Sequence, residues 1–441
     1  MHLKKKLVVI CILVVIPLFP YISILQNDHQ GSSASSLSMD GWLEVIDGIT
    51  ILHIRGSPYE LGYQHGFLLK EAVNQNIRGF LYSSGVPLQD LLRIWGVMKQ
   101  YIPVEYIEEM QGLADGAGIS FDELAAANMV VIVGDMGGCF GLAGWGKATT
   151  DGSLYHARSF DYSFNIQDPL TGVFAHENAV LIVRQPDKGY ASLIPSIAGS
   201  LHGGGGFNSQ GIAIGQQVCW SRDQTFYGMP GQFRVQQVLD YASTAQEAID
   251  LLTSYRDLGW NFVVSDGKIP IGYVVETTAN HTYVGTWDDP TEGTPPFWCI
   301  EDVVRRTNFF INSSTAMTQR DRYNPSGFMS FIELVRRTDV FYAIWRSYKS
   351  CSQEIEKNYE LLDINSTMMM FRNCYSGQTD LLLSVIIRLA EGTSFNRAWN
   401  MWVADPLSGD LVVCFATKDR IAWSNPVHFF NFYDLLTTTP P

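Results

Sequence analysis

The sequence predicts an α+β protein in which β-sheets are covered by helices. Three observations carry this prediction: capped helices before residue 138, strand-like segments after it, and further helix and hairpin patterns towards the C-terminus. Blocks of strands that alternate with pairs of helices are typical of layered α+β domains. With 441 residues, 46% of them hydrophobic and 17% charged, the chain has the composition of a globular protein.

The segment over residues 41–138 is predicted to be mostly helical. It opens with a tight hairpin at Asp47-Gly48, between two apolar runs. Ser57-Pro58-Tyr59-Glu60 then combines an N-cap, a proline at the first helical position and a capping-box glutamate, so a helix should begin there. The same capping-box pattern at Ser120-Phe121-Asp122-Glu123 predicts a second helix.

The pattern changes at Cys139, where strand-like segments separated by turn residues begin. The predicted strands cover residues 140–148, 154–160, 179–184 and 211–220, with hairpins over 261–276 and 399–415 and a helical stretch, re-capped at Thr244, over 232–254. No internal repeat and no second linker follows residue 40. The sequence therefore predicts one compact body over residues 41–441.

The N-terminus has the features of an export signal. Lys4-Lys5-Lys6 precede an apolar run over residues 7–25, an arrangement typical of signal peptides. The run is long and no clean small-x-small cleavage site follows it, so a retained membrane anchor is the alternative. Residues 1–25 are predicted to be a signal peptide or anchor, and residues 26–40 a Ser-rich linker. We expect a secreted protein, or an anchored one with its body outside the cytoplasm.

Export is compatible with glycans and disulfides. The sequons at Asn280, Asn312 and Asn365 are predicted glycosylation sites, and Cys351 with Cys374 is the predicted disulfide. No Cys-x-x-Cys pair or paired histidine spacing is present in the sequence, which predicts no metal site. The formal net charge of -14 argues against nucleic acid as a partner, because phosphate binding needs a basic surface.

Asp135-Met136-Gly137-Gly138-Cys139 joins the helical segment to the first long strand. A thiol can attack the carbonyl of the preceding residue, convert the peptide bond to a thioester and release it by hydrolysis. Glycine helps here, because the backbone must bend without a Cβ clash. Cleavage between Gly138 and Cys139 would free an α-amino group with a pKa of roughly 7.7–8, which can serve as the base for its own thiol. The pattern predicts self-cleavage and a cysteine nucleophile.

Two charged residues on the next predicted strand support this chemistry. The turn at Asp151-Gly152 would bring Arg158 and Asp161 back beside Cys139. There a guanidinium favours the thiolate, and a carboxylate can orient the amine. Strict alternation puts the two residues on opposite faces, so this placement predicts a bulge or strand end near Ser159. On these residues alone, a buried structural cysteine beside a surface ion pair is the alternative interpretation.

Several ordered segments carry a resemblance to one family. They are Gly138-Cys139, WGKAT (145–149) and DGSLYHARSFDY (151–162), with GSPYELGYQHG (56–66) and GLADGAGIS (112–120) upstream and FNSQGI (207–212), NFVVSD (261–266) and RTNFF (306–310) downstream. Together they resemble the acyl-coenzyme A:6-aminopenicillanic acid acyltransferase family of cysteine-type N-terminal-nucleophile (Ntn) hydrolases. More distantly, the chain is similar to penicillin V acylases, bile salt hydrolases and acid ceramidase.

The resemblance extends over about residues 45 to 420 and implies a fold. It implies a four-layer αββα sandwich preceded by the mostly helical segment. Residues 41–138 would then be the propeptide or small subunit and residues 139–441 the large subunit, with both fragments remaining associated.

The resemblance also implies roles for individual residues. The implied catalytic residues are Cys139, Arg158, Asp161 and Asn308, the last in the oxyanion site. Further candidates for oxyanion or substrate contacts are Gln216, Asn261 and Arg322. Among the departures from the family pattern, Ser159 stands where the family usually has asparagine. No cofactor is expected.

We therefore expect an amide hydrolase that acts on a small N-acyl substrate. Cys139 Sγ would attack the substrate carbonyl to form a thioester, which water resolves. An acyltransferase would pass the same acyl group to an amine acceptor. A non-catalytic secreted binding protein that retained the fold is a third interpretation, because fold does not guarantee activity.

Overall fold

The computed structural model describes residues 39–133, 138–320, 340–375 and 396–440. The predicted signal or anchor, its possible membrane tether over residues 7–25, most of the linker and Arg322 lie outside these residues. Among the described residues, no single helix is both long and apolar enough to cross a membrane, although one bent pair, Val104–Ala117 with Phe121–Val133, passes the same test together.

The strands are numbered here in chain order. They are β1 (Trp42–Ile46), β2 (Ile49–Gly56), β3 (Gly138–Gly146), β4 (Gly152–Ser163), β5 (Ala179–Pro186), β6 (Ser192–Ile197), β7 (Gly205–Asn208), β8 (Ile212–Val218), β9 (Trp260–Asp266), β10 (Ile271–Thr277), β11 (Thr282–Gly285), β12 (Val303–Arg306), β13 (Asn396–Asp405), β14 (Asp410–Phe415) and β15 (His428–Asn431).

The helices are numbered in the same way. They are α1 (Pro58–Leu68), α2 (Lys70–Ser84), α3 (Leu88–Met98), α4 (Val104–Ala117), α5 (Phe121–Val133), α6 (Gly231–Tyr241), α7 (Ala245–Thr253), α8 (Ser313–Ala316), α9 (Val340–Lys357), α10 (Ile364–Tyr375) and α11 (Phe432–Thr437).

The strands form two sheets. The larger is nine-stranded, in the order β1-β2-β5-β6-β7-β8-β9-β10-β11, and the smaller is six-stranded, in the order β12-β3-β4-β13-β14-β15. Strands β2 and β5 pair in parallel. The β3–β4 hairpin lies in the centre of the smaller sheet, where strands on both sides hold its backbone.

The sheets pack face to face, with helices on both outer faces. One shared core joins residues such as Leu181 and Phe207 of the larger sheet to Trp402 and Val413 of the smaller one. The helices before β3, together with α6 and α7, share a core with the larger sheet, and α9 and α10 share another with the smaller sheet. The layers therefore run helix, sheet, sheet, helix, and the predicted α+β class and four-layer αββα sandwich are confirmed.

The segment over residues 41–133 is built into this sandwich. Its β1–β2 hairpin extends the larger sheet through the parallel pairing of β2 with β5. Helices α1 and α4 cross closely because glycines face each other: a Cβ on Gly62 would lie 1.8 Å from Glu109 O, and one on Gly112 would lie 2.1 Å from Tyr59 O. Gly62 and Gly112, one in each of the two family-like upstream segments, are thus required by the close packing of α1 against α4.

Most local predictions agree with the structure. The hairpin at Asp47-Gly48 has positive φ at both residues, and both capping boxes form, at Ser57 and at Ser120. The predicted stretch over 232–254 is two helices, with Thr244 as the N-cap of the second. Short-range hydrogen bonds fix these features, which is why sequence patterns reveal them.

Candidate active site

Cys139 is the second residue of β3, between β12 and β4. The β3–β4 register pairs it with Phe160, so the turn near Asp151 returns β4 beside it, as predicted. The Cys139 side chain is 7% exposed. The chemistry open to this buried sulfur depends on the polar groups around it.

The guanidinium of Arg158 is one of those groups. Its Nη2 lies 3.7 Å from Cys139 Sγ and donates to Gln216 O at 3.2 Å, while Nη1 donates to Gly203 O at 3.4 Å. Arg158 is fully buried, and burial lowers its pKa while the neighbouring thiol and Asp161 raise it. Because carbonyl oxygens of the larger sheet and its β6–β7 loop hold the guanidinium, it is fixed against the sulfur.

The glycine-rich stretch over residues 203–206 makes room for this arginine. A Cβ on Gly204 would lie 2.6 Å from Arg158 Nη2, and a Cβ on Gly215 would lie 2.7 Å from its Cδ. A side chain at Gly204 or Gly215 would therefore occupy the space of the Arg158 side chain.

Burial controls the state of the thiol. Burial, and to a smaller extent the Asp161 charge, raise the pKa of Cys139 to about 11. The Arg158 charge and a hydrogen bond from the Asp161 backbone N–H act in the opposite direction. With its backbone as it stands in this structure, Cys139 is therefore a neutral thiol near pH 7. A nucleophilic role requires a nearby base, because the thiolate is the reactive form.

Asp161 supplies a carboxylate on the other side of the strand. Its Oδ2 accepts from the Tyr375 hydroxyl at 2.9 Å, and its buried Oδ1 has no hydrogen-bond partner within the described part of the chain. Burial raises the pKa of Asp161 to about 6, while the hydrogen bond from Tyr375 and the Arg158 charge lower it. A buried acceptor without a donor is unusual in a folded protein and marks a place where a donor is needed.

The predicted bulge or strand end near Ser159 is wrong. The β3–β4 register is regular from Gly138–Asp161 to Gly144–Tyr155, β4 continues to Ser163, and the shift near Asp161 lies on β13. Arg158 faces the larger sheet and Asp161 faces α10. Both still flank Cys139, because the backbone nitrogen of a strand lies in the plane of the sheet, between the two faces.

Asn308 contacts the backbone of Cys139. Its Oδ1 accepts from Cys139 N–H at 2.8 Å, and its Nδ2 donates to Val218 O at 2.8 Å. Thr307 Oγ1 donates to Cys139 O at 3.0 Å. An amide nitrogen carries two hydrogens, so Nδ2 retains one beyond its bond to Val218. The predicted oxyanion donor is thus beside Cys139.

Asn261 has a different role from the predicted oxyanion or substrate contact. Its Nδ2 donates to Thr307 O and to Phe309 O, both at 2.7 Å. These bonds hold the backbone on both sides of Asn308, so Asn261 positions Asn308. The side chain of Gln216 lines the cavity described below, while its backbone carbonyl holds Arg158.

A buried ion cluster fixes the segment that carries Asn308. Arg306 contacts Glu276 at 3.0 Å and Glu292 at 2.5 Å. Glu276 also accepts from the backbone N–H of Ile311 at 2.9 Å and of Asn312 at 3.2 Å. Although burial disfavours its charge, the two glutamates raise the pKa of Arg306. The cluster therefore anchors the chain before and after Asn308.

We expect Arg306→Met to destabilise the fold by about 3–5 kcal/mol, because it leaves two glutamates buried without a cation. Urea unfolding should show a lower midpoint. Lys147→Met is the matched control, since it removes an exposed pair whose side chains are 70% and 42% exposed, and it should leave the midpoint nearly unchanged. Equal midpoints for both variants would show that the cluster does not anchor this segment.

An apolar cavity of about 690 Å³, including its open mouth, adjoins the site. It lies between the helices of the N-terminal segment, the end of β4 and the β6–β7 loop. Its lining includes Ile77, Phe80, Ala127, Val131, Phe160 and Gly204. Phe160 pairs with Cys139, and Gly204 lies against the Arg158 guanidinium. The cavity is thus next to the polar groups around the sulfur.

The predicted disulfide is absent from the structure. Cys351 on α9 and Cys374 on α10 are free, buried thiols. The two thiols do lie within hydrogen-bonding distance of each other. Burial and the hydrogen bond with Cys374 raise the pKa of Cys351. Of the predicted glycosylation sites, Asn280 and Asn365 are exposed, and Asn312 is half-buried and caps α8; glycosylation at all three stays a prediction.

The chain matches one known protein family over part of its length. The model of the family described as acyl-coenzyme A:6-aminopenicillanic acid acyl-transferase matches residues 148–336. This range includes Arg158, Asp161 and Asn308 and begins nine residues after Cys139.

Curated relatives match part of the chain. An uncharacterized protein of Archaeoglobus fulgidus is 32% identical over 50% of this chain and 42% of its own length. Protein dcd1B of Dictyostelium discoideum is 26% identical over 46% of this chain and 45% of its own length. The matched region thus spans less than half the length of these two relatives.

Solved structures give matches at low sequence identity. The N-acylethanolamine-hydrolyzing acid amidase ortholog of Caenorhabditis elegans is 13% identical, with a TM-score of 0.33, over 61% of this chain and 93% of that one. Penicillin V acylase from Agrobacterium tumefaciens is 14% identical, with a TM-score of 0.35, over 66% and 86%. Over residues 148–336 the chain carries the sequence pattern of the acyl-coenzyme A:6-aminopenicillanic acid acyltransferase family, and the resemblance predicted from its motifs is confirmed.

Proposed function

We propose that this protein is a self-processing cysteine hydrolase of N-acyl amides. The observation that carries the proposal is the placement of Cys139. A guanidinium lies 3.7 Å from its sulfur, and Asn308 accepts from its backbone nitrogen at 2.8 Å. Asp161, which pairs with Gly138, keeps its Oδ1 without a hydrogen-bond partner among the described residues. A buried structural cysteine would not need these partners.

The first step would cut the chain before Cys139. Sγ attacks the carbonyl carbon of Gly138, a C–S bond forms and the C–N bond breaks. The thiol proton passes to the leaving nitrogen, which becomes the α-amine of Cys139. Water then hydrolyses the thioester, which leaves a carboxylate on Gly138 and returns the thiol.

The second stage would use the new amine. Asn308 Oδ1 already accepts from that nitrogen, and Asp161, which pairs with the preceding Gly138, has an unpartnered Oδ1 among the described residues, so the ammonium form would have two candidate acceptors. The neutral amine takes the thiol proton, and the thiolate attacks the substrate carbonyl. The free N–H of Asn308 stabilises the oxyanion, and the ammonium protonates the leaving amine. Water resolves the thioester.

The two fragments would stay together after the cut. Strand β2 belongs to the small fragment and pairs with β5 of the large one, and both contribute to one hydrophobic core. Loss of a single peptide bond removes none of these contacts. Export, and glycosylation at the exposed Asn280 and Asn365, are part of the same proposal.

The apolar cavity supports an acyl chain as the substrate group beside the reacting carbonyl. Val131 lines the cavity, so a tryptophan there would fill part of its space. We expect Val131→Trp to raise KM for a long-chain N-acyl substrate on the order of tenfold. KM for the N-acetyl analogue should change little. Val104→Trp is the matched control, since Val104 is 65% exposed on another helix. Equal losses for both chain lengths would contradict this assignment.

Two measurements test the proposed function. Intact-mass spectrometry should find a large fragment that begins at Cys139, whereas one uncut, inactive chain would favour a binding protein that retained the fold. Incubation with an N-acyl substrate, with and without an amine acceptor, separates hydrolysis from acyl transfer. Free acid in both samples supports the hydrolase, and product that appears only with the acceptor supports the acyltransferase.

A further inference from the structure

A chain of hydrogen bonds links β3 to α10 through Ser159 and ends at Asp161. Tyr375, the last residue of α10, donates to Asp161 Oδ2 at 2.9 Å and shares a hydrogen bond with Ser159 Oγ. Ser159 Oγ in turn accepts from Phe140 N–H at 3.1 Å. Phe140 follows the proposed nucleophile directly, so the network spans both strands of the central hairpin.

Each hydrogen in this network has one destination. The phenol has a single proton, which goes to Asp161, so the Ser159 hydroxyl donates to the Tyr375 oxygen. Burial and the Asp161 charge raise the pKa of Tyr375 well above its usual range, which keeps the phenol a neutral donor at working pH. The bond to Tyr375 leaves the other Asp161 oxygen, Oδ1, without a donor in the described part of the protein.

We propose that Tyr375 is a positioning residue that holds Asp161 as an ionised acceptor for the amine of Cys139. This inference rests on the proposed function. Tyr375 touches neither the sulfur nor the oxyanion residue through any hydrogen bond described here, and it acts through the carboxylate. By occupying Oδ2, it leaves Oδ1 as the oxygen available to the nitrogen of Cys139.

The charged and titratable groups that face Asp161 from the described elements are few. They are Arg158 on β4, the Cys139 thiol on β3 and Tyr375 on α10. A hydrogen bond from a neutral donor stabilises the ionised carboxylate more than the neutral acid. Removal of the phenol hydroxyl therefore raises the pKa of Asp161 above its value of about 6.

The sign of the pH effect follows from this shift. Asp161 must be ionised to hold the ammonium, so activity falls as the pH drops through its pKa. Tyr375→Phe should move the acid limb of kcat/KM upward by about one to two pH units, the ten- to hundredfold effect expected of a hydrogen bond to a charged group. At pH 9, above both limbs, the variant should approach wild-type activity.

Tyr359→Phe is the matched control. The Tyr359 hydroxyl makes no hydrogen bond to the described residues, and its ring packs against the same hydrophobic core. This variant should reproduce the wild-type pH profile. A Tyr375→Phe profile that coincides with wild type, or a uniform loss at every pH without a shift of the limb, overturns the inference.

A readout without substrate separates this inference from the proposed function. The stability difference between wild type and Tyr375→Phe should grow from pH 5 to pH 8, because the lost hydrogen bond matters most to the ionised Asp161. For Tyr359→Phe the difference should not depend on pH. If wild type shows neither cleavage nor turnover, the proposed function fails. If those occur and the stability difference is constant with pH, the role of Tyr375 fails alone.

Discussion

Replacement of Cys139 with alanine should leave the protein as one uncut chain without amidase activity. The variant lacks the sulfur that attacks both the Gly138 carbonyl and the substrate, so both reactions lose their nucleophile. We expect a loss of at least about 10⁴-fold in kcat. Intact-mass spectrometry of the purified protein measures the first effect, and release of acid from an N-acyl substrate measures the second.

Cys414→Ala is the control for this variant. Cys414 is also a fully buried thiol in the smaller sheet, but it lies on β14 and contacts none of the groups around Cys139 that are described above. The Cys414→Ala protein should still be cut before Cys139 and should keep its activity. Cleavage of Cys139→Ala before residue 139 at the wild-type rate would show that another agent cuts the chain.

Asn308→Ala should reduce kcat by roughly 10²–10³ because it removes a donor to the oxyanion. It also removes the acceptor of Cys139 N–H and the donor to Val218 O, so some stability will be lost as well. Steady-state kinetics on the folded fraction, determined by thermal unfolding, separates the two effects. KM should change much less than kcat.

Asn312→Ala provides a matched loss of stability in the same segment. Asn312 caps α8 through Ser314 N–H, and removal of such a cap typically costs about 1 kcal/mol. Its kcat should remain near that of wild type. Similar falls in kcat for both variants would mean that Asn308 acts through the stability of the segment and not through the oxyanion.

The residues of the site that are close in sequence could be predicted. A short connection over residues 147–151 fixes where β4 returns, so the spacing from Cys139 to Arg158 and Asp161 already brings the three residues together. The error over Ser159 arose from the requirement that both charges reach the sulfur from one face. In the structure they lie on opposite faces, with the backbone nitrogen between them.

Apart from Asn308, which the family resemblance implied, the roles of residues that join the site from distant elements could not be predicted. Tyr375 lies 214 residues from its partner Asp161, and nothing in its local sequence indicates a polar role. Asn261 is recognisable as part of a family-like segment, yet its function depends on two carbonyls of another strand's end. Such contacts follow from how the sheets stack, which periodicity does not determine.

The parallel pairing of β2 with β5 affects how readily the protein could refold after the proposed cut. Before the proposed cut, all the strands of the larger sheet belong to one polypeptide, so its assembly is an intramolecular process that does not depend on concentration. After the cut, the edge strands and the remainder belong to two molecules, and unfolding would let them diffuse apart. Regaining the sheet would then require an encounter between two dilute chains. A single hydrolysed bond thus turns folding into a step that the mature protein does not readily repeat.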